Sequence, residues 1–437
     1  MKRRIVSFLI IFWIASFFAP RGSAQTPVKQ RPVYPVVAED GAWCWFTDPR
    51  AVYHKGLQER IYFGYINSKG DVVISARDVK TKAIQTHVLH AKLQIDDHNV
   101  PSILFLPDGK ILTFYTEHSG RIFMRKSKNA EDISEWEEEK ILSFGLAGNK
   151  RLCYSHPVML SGENNRIYMF YRGQTVGEAY PGWRQYISYS DNLGDSWSEG
   201  QSYLDTKAIN NAIYLKVSSD NKSRIDFVFT DGHPKIGPAS VYHMYYEKGK
   251  FSQTNGDEIA DIKNVPLNLN KVNKVYDVTA TNVKSWIWDI ALDKNRRPVI
   301  AYTQYPEETD HRYHYTRWNG KNWMDQEICK AGGMITVIET GKKVLEAHYS
   351  GGIVLDHNNP SNVYLSRQIN GVFEIEQWKL KRGNWKVNKI TDKSAESNIR
   401  PYVIANYTGK EPMVLWMNGL YNHYTKFKTA LMINEAR

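Results

Sequence analysis

One unit recurs seven times along the chain: a strand, a polar turn, a second strand rich in aromatics, a loop, a third strand, a tight turn and a fourth strand. The second and third strands are plainest as Arg60-Ile-Tyr-Phe-Gly-Tyr65 with Val72-Val-Ile-Ser-Ala76, Lys110-Ile-Leu-Thr-Phe-Tyr115 with Arg121-Ile-Phe-Met-Arg125, and Arg166-Ile-Tyr-Met-Phe-Tyr171 with Gln185-Tyr-Ile-Ser-Tyr189. Further copies begin at Arg224, Arg297, Asn362 and Glu411. A unit of this kind cannot bury its apolar face alone and has to stack on its neighbours. At this period the outcome is an all-β, seven-bladed β-propeller of four-stranded antiparallel blades, not a sandwich pair or a β-helix. The content of 16 Phe, 13 Trp and 27 Tyr suits short strands and argues against a helical bundle. Residues 25–437 read as one propeller domain, with Tyr34 to Phe46 supplying the strand that closes the ring on the last blade. The run Glu131 to Lys140, with Trp136, reads as a solvated blade edge.

Residues 1–24 read as a cleaved signal peptide: a basic start at Lys2-Arg-Arg4, an apolar run from Ile5 to Phe18 too short to span a bilayer comfortably, and small residues at Gly22-Ser-Ala24. Export to the periplasm or medium of a bacterium follows, with no membrane span in the mature chain. Removing this segment leaves 53 basic against 46 acidic residues, a net charge of +7. That excess suits an acidic glycan, although it is also ordinary solubilising charge. No Lys/Arg run of the kind that binds nucleic acid is present. Cys44, Cys153 and Cys329 are odd in number and far apart, so neither a disulfide scaffold nor a CxxC site is expected.

Blade topology sorts the loops. Lead-ins to the first strand share a face with the loops between strands two and three. On the opposite face lie plain turn formers such as Leu106-Pro-Asp-Gly-Lys110 and Leu292-Asp-Lys-Asn-Arg296. The first face carries Asp96, Asp97, His98 and Asn99, then His118, Tyr154, His156, Arg172, Arg184, His233, Trp288, Arg312 and Arg400. Each has an ordinary explanation: a strand cap for His98, packing for Tyr154 and His156, an Asx turn for Asp231 and His233, a neighbouring Asp for Arg172. Collectively they favour a site for an acidic ligand. No HExxH, GxSxG, P-loop or GxGxxG is present, and no metal-ligand spacing. Carboxylates at Asp48, Asp96, Asp97, Asp289 and Glu117 keep a glycosidase in play. The balance of His, Tyr and Arg fits β-elimination at a uronic acid better: a cation neutralises the carboxylate, a base takes the C5 proton and an acid protonates the departing O4.

Ser190-Asp-Asn-Leu-Gly-Asp-Ser-Trp197 resembles an Asp-box turn, with Asn192 where Asp is usual. With Asp97-His-Asn-Val-Pro-Ser102, Tyr154-Ser-His-Pro157, Tyr171-Arg-Gly173 and Thr230-Asp-Gly-His-Pro234, the chain resembles, over about residues 34–432, the BNR-repeat propellers of secreted bacterial polysaccharide lyases. These include ulvan lyases and L-rhamnose-α-1,4-D-glucuronate lyases. The resemblance implies a lyase that cleaves a rhamnose–glucuronate linkage. His98, Tyr154, His118 and Arg172 would be catalytic, with the acid and base roles of His98 and Tyr154 unassigned. Asn99, His156, Arg184, His233, Trp288, Arg312 and Arg400 would bind substrate. No cofactor is required, with room for a structural calcium, and a monomer is expected. Thr47 stands where a rhamnosidase-type site would need its histidine, which weakens the hydrolase alternative. The third alternative is a glycan-binding propeller without catalysis.

Overall fold

The computed structural model describes residues 33–146, 150–175, 183–205, 212–237, 239–337 and 346–435. The signal peptide expected at 1–24 lies outside the described residues. Seven antiparallel sheets follow one another in chain order, six of four strands and one, the fourth, enlarged to six. Their first strands are Ala51–Lys55, Ser102–Phe105, Lys150–Leu160, Tyr214–Ser219, Lys284–Leu292, Ile353–Leu355 and Asn398–Val403. Residues from all seven line one cavity, so these strands surround the axis. The fourth blade adds Glu258–Asp261 and Asn273–Tyr276, which the repeat did not announce.

The ring is closed by the N-terminal strand. Val36–Ala38 pairs with Lys426–Ile433 as the outermost strand of the seventh blade. The Gly41 amide donates to Thr429 O at 2.8 Å, and the Thr429 hydroxyl donates back to Gly41 O at 2.6 Å. In the Ser190–Trp197 turn, Asn192 Oδ1 accepts from the Ser190 hydroxyl and from the Ser196 amide, both at 2.9 Å. An amide oxygen thus does what the carboxylate of an Asp box does. Gly194 takes φ +87° there, a conformation that L side chains rarely adopt.

The Glu131–Lys140 segment is only in part the solvated edge expected: Ser134, Glu135, Glu138 and Lys140 are exposed, but its start is not. Glu131 and Trp136 are buried, and the Glu131 carboxylate accepts from the Leu57 and Gln58 amides at 2.9 and 3.0 Å. Two amides without sheet partners draw the charged side chain inward.

An aromatic layer crosses the axis below the lead-in segments. Trp45 stacks on Trp288 with centroids 4.4 Å apart and meets Trp286 edge-on at 5.0 Å. Phe46 bridges from it to Tyr154 at 5.5 Å and Tyr214 at 5.0 Å. Such rings fill the space that seven converging strands leave at the centre. They form the floor of one end of the axis.

Candidate active site

Above that floor the lead-in to the second blade makes a single turn, Asp97–Asn99. Asp96 caps it by accepting the His98 amide at 3.0 Å. The same carboxylate holds two imidazoles: His98 Nδ1 lies 2.6 Å from Oδ1, and His118 Nδ1 lies 2.8 Å from Oδ2. The rings are stacked at 3.9 Å with 17° between their planes. His118 comes from the two-to-three loop of the same blade, and Gln94 ties that loop down by accepting the His118 amide at 3.0 Å.

Two imidazoles sharing one carboxylate do not both ionise cheaply. Burial presses His98 toward neutrality, but the surrounding groups, Cys44, Tyr154 and Asp96 foremost, outweigh it and raise its pKa well above the ordinary value. Burial and the His98 charge together lower that of His118. Burial would raise the Asp96 pKa, yet the two imidazoles hold it well below the usual carboxylate range. The resting pair is therefore one imidazolium, His98, and one neutral ring, His118. With Nδ1–H of His118 given to Asp96, its Nε2 lone pair is left as an acceptor.

Tyr154 stands 5.7 Å from His98 between ring centroids. It sits at φ +57° where the register of the third blade's first strand slips between Cys153 and His156. A bulge turns a side chain out of the strand's alternation, and a left-handed non-glycine residue is costly enough to mark a site. Burial raises the Tyr154 pKa well above its usual value, so the phenol keeps its proton.

Arg172, at the axial end of the neighbouring strand, is 4% exposed. Its guanidinium carbon faces Tyr154 at 4.6 Å, Trp183 at 4.4 Å and Tyr214 at 4.7 Å from the ring centroids. Its Nε donates to Cys153 Sγ at 3.3 Å, and Nη1 has no partner. No carboxylate among the described residues pairs with it. A buried cation without a counter-ion is costly unless a ligand supplies the anion. The rest of the site is balanced: Asp96 and Asp97 oppose His98 and Arg400. Among these described groups the surplus charge is +1, and it resides on Arg172.

His98, His118, Tyr154 and Arg172 therefore form one contiguous set. His233 joins its edge, 4.4 Å from Trp286 and 5.3 Å from Tyr214. Asp231 makes no Asx turn with it; its carboxylate accepts from the Ser240 amide at 2.8 Å and from Tyr242 at 3.1 Å. Other expected contacts are placed elsewhere. Asn99 is wholly buried and donates to Gln94 at 3.2 Å. His156 is buried with both ring nitrogens unpartnered, and burial, with Lys216 and Arg50 nearby, lowers its pKa to about 3. Trp288 belongs to the aromatic floor, and Arg400 lies behind Asp97. All four are buried in the free protein, as His98 and Arg172 also are. Arg184 donates to Trp183 O at 3.3 Å. Arg312 is held by Asp310 at 2.7 Å and Glu327 at 3.4 Å, and no contact ties it to the cluster.

Sequence reasoning missed Tyr424, whose ring meets His98 at 5.0 Å and His118 at 5.1 Å edge-on. It falls in the two-to-three loop of the last blade, between the strands Val414–His423 and Lys426–Ile433. Tyr214 was also missed; its position at the start of a first strand was the available signal.

Two donor sets are close enough to share an ion, Cys44 with Asp97 and His98, and Asp96 with His98 and His118. Calcium takes about 6–8 oxygen ligands. These sets mix in nitrogen or sulfur, and both imidazole Nδ1 atoms are already given to Asp96, so neither fits the calcium considered from sequence. At the other end of the axis a cavity of about 430 Å³ opens, walled by aliphatic residues such as Val52, Ile103, Val158 and Val354. Of its acids, Asp48 pairs with Arg50 and Lys216, Asp289 with His357, and Asp356 accepts from the Asn358 amide and the Asn362 side chain.

What the fold and the cluster define is a seven-bladed propeller with a cationic, tyrosine- and histidine-bearing site at one end of its axis. The profile of the BNR repeat-containing family matches residues 60–331, more than half of the chain, and the chain belongs to that family. No curated protein matches the sequence. Among solved structures it is similar to an ulvan lyase of polysaccharide lyase family PL25 bound to -[GlcA(1-4)Rha3S]-, at 16% identity and a TM-score of 0.66, covering 91% of this chain and 94% of that one. It is also similar to the polysaccharide lyase Uly1, at 13% identity and a TM-score of 0.56, over 95% and 94% of the two chains. At these identities the likeness is one of fold.

Proposed function

We propose that this protein is an exported polysaccharide lyase that breaks a rhamnose-α-1,4-glucuronate linkage by β-elimination. The observation that carries the reading is Arg172: a buried cation with no carboxylate among the described residues, beside a neutral imidazole and a protonated tyrosine. A uronate carboxylate supplies the missing anion. The propeller shared with an ulvan lyase solved bound to -[GlcA(1-4)Rha3S]- supports the same direction.

The chemistry follows from the protonation states. Arg172 binds the uronate carboxylate and stabilises the charge that spreads onto it as C5 loses its proton. In a glucopyranuronate H5 and O4 lie on the same side of the ring, so base and acid have to stand together. His118, neutral and oriented by Asp96, takes the C5 proton on Nε2. Its ring is 29% exposed, enough to be reached from the cleft. Tyr154, kept protonated by burial, gives its proton to O4 as the C4–O4 bond breaks. The His98 imidazolium beside it stabilises the phenolate and restores the proton. The products are a rhamnose-bearing fragment with a free hydroxyl and a C4–C5 unsaturated uronate.

A hydrolase needs two carboxylates free to act. Each acid considered for that role is engaged: Asp48 with Lys216, Asp289 with His357, Asp96 and Asp97 with His98, and Glu117 with Arg121. The deciding assay incubates the protein with rhamnose–glucuronate oligosaccharides and follows the ultraviolet absorbance of the unsaturated uronate, with His98→Ala as control. A rise in wild type that the variant abolishes supports elimination. Release of free rhamnose with no absorbance change overturns it. Binding without any product would mean a glycan-binding propeller.

A further inference from the structure

The sequence places Arg400 among the substrate contacts, yet it is 1% exposed and sits behind Asp97. Its backbone has φ +51° where the first strand of the seventh blade slips register between Ile399 and Tyr402. The neighbouring blade is shaped to admit it. Gly352 has φ +110°, and a Cβ there would stand 3.1 Å from Arg400 Cα. The Arg400 amide donates to Gly351 O at 2.5 Å. This is an expensive way to place one guanidinium, and the one carboxylate it meets is that of Asp97.

Asp97 is fully buried. Its Oδ2 accepts from Arg400 Nη1 and, at 2.6 Å, from the Tyr421 hydroxyl, which in turn accepts from Arg400 Nη2 at 2.9 Å. Arg400 Nη1 also donates to Trp43 O at 2.6 Å, which fixes the guanidinium to the lead-in of the first blade. The other oxygen, Oδ1, has no hydrogen-bond partner and lies 3.1 Å from His98 Nδ1. That nitrogen has one hydrogen and two carboxylates competing for it: Asp96 at 2.6 Å and Asp97 at 3.1 Å. A bare Asp97, with no solvent, would be the stronger claimant.

We propose that Arg400 and Tyr421 are positioning residues that neutralise Asp97, so that the His98 Nδ1 hydrogen goes to Asp96 and the ring stays stacked on His118 with its other edge toward Tyr154. Without them Asp97 draws the imidazole away, and the Asp96–His98–His118 arrangement loses its geometry. The effect on turnover rests on the lyase reading; the choice of carboxylate does not.

The test uses Tyr421→Phe, which removes one donor and keeps the ring, Arg400→Lys, which keeps the charge, and Arg400→Gln. The first readout is the ¹H–¹⁵N NMR signal of the His98 Nδ1–H in the resting protein, identified by its loss in His98→Gln. It should shift in Tyr421→Phe, shift less in Arg400→Lys and shift most in Arg400→Gln. The second is turnover against binding of glucuronic acid. For Tyr421→Phe, kcat should fall about tenfold, as expected for one hydrogen bond to a charged group, with the Kd unchanged. Arg400→Lys should recover most of the loss seen in Arg400→Gln. An unmoved resonance in folded Tyr421→Phe overturns the proposal. A shifted resonance in a protein that forms no unsaturated uronate upholds it and sinks the lyase reading instead.

Discussion

Replacing Arg172 by Met removes a buried cation that no carboxylate among the described residues opposes, and keeps a side chain of similar length inside the cage of Tyr154, Trp183 and Tyr214. Two effects of opposite sign follow. For catalysis, the carboxylate of a bound uronate loses its partner. At about 4 Å and an effective dielectric constant of about 20 the attraction is about 4 kcal/mol, and a charge-assisted hydrogen bond is worth about 1.5–3 kcal/mol net. Taking about 3 kcal/mol, kcat/KM should fall about 100-fold. For stability, the three ring contacts at 4.4–4.7 Å contribute about 0.5–2 kcal/mol each. Against them stands the several-kcal/mol penalty of a buried charge with no carboxylate partner among the described residues. The Tm of Arg172→Met should therefore stay level or rise while activity collapses, the mark of a charge kept for a ligand. The assay pairs calorimetry of the free protein with kinetics on a glucuronate oligosaccharide and on its methyl ester. The variant should lose its activity on the free acid and little of its activity on the ester, which carries no charge for Arg172 to meet. A fall in Tm of many degrees, with acid and ester affected alike, would refute the reasoning and make Arg172 a packing residue.

Other outcomes are expected. His118→Gln should lower kcat by about 10²–10⁴-fold with little change in Kd for glucuronic acid, the usual worth of a general base; an equal loss of binding would place His118 in recognition instead. Stability should decline as pH falls below about 6.5. Burial holds His156 and His348 near a pKa of about 3 and His311 near about 4, so each takes up a proton on unfolding and costs about 1.4 kcal/mol per pH unit below the unfolded value. His98 has the opposite sign: its contribution is complete below about 6.5 and fades as pH rises through its raised folded value, and a Tm that is flat from pH 7 to 5 would contradict the sum. Deleting the chain through Ala38 removes the outer strand of the seventh blade and opens the ring, so the Tm should drop by many degrees; an unchanged melt would mean that the closure carries no stability.

The repeat was legible because the inner strands of the blades are short, nearly continuous buried runs of aromatic and β-branched residues, such as Ile111–Thr116 and Arg224–Thr230, and because turns such as Ser190–Trp197 need Gly and Asn at fixed places. Such local requirements are written locally, and they determined the blade number, the closing strand and the face on which His98, His118, Tyr154 and Arg172 would meet. Burial depth was not written there. Asn99, Trp288 and Arg400 share that face with His118, yet only the packing of seven first strands decides which side chains reach the cleft and which support it from below. Glu131 shows the same limit, since a charged run looks solvated until two distant amides are found to need its carboxylate. Protonation was likewise decided in three dimensions. The sequence supplies Asp96, Asp97, His98, His118, Arg172 and Arg400, but charge balance depends on distances among segments as many as 303 residues apart, as for Arg400 and Asp97. The sequence thus determined the scaffold and the chemical types available at one end of the axis. The tertiary structure decided that one cation among them, Arg172, meets three rings and a thiol but no carboxylate among the described residues.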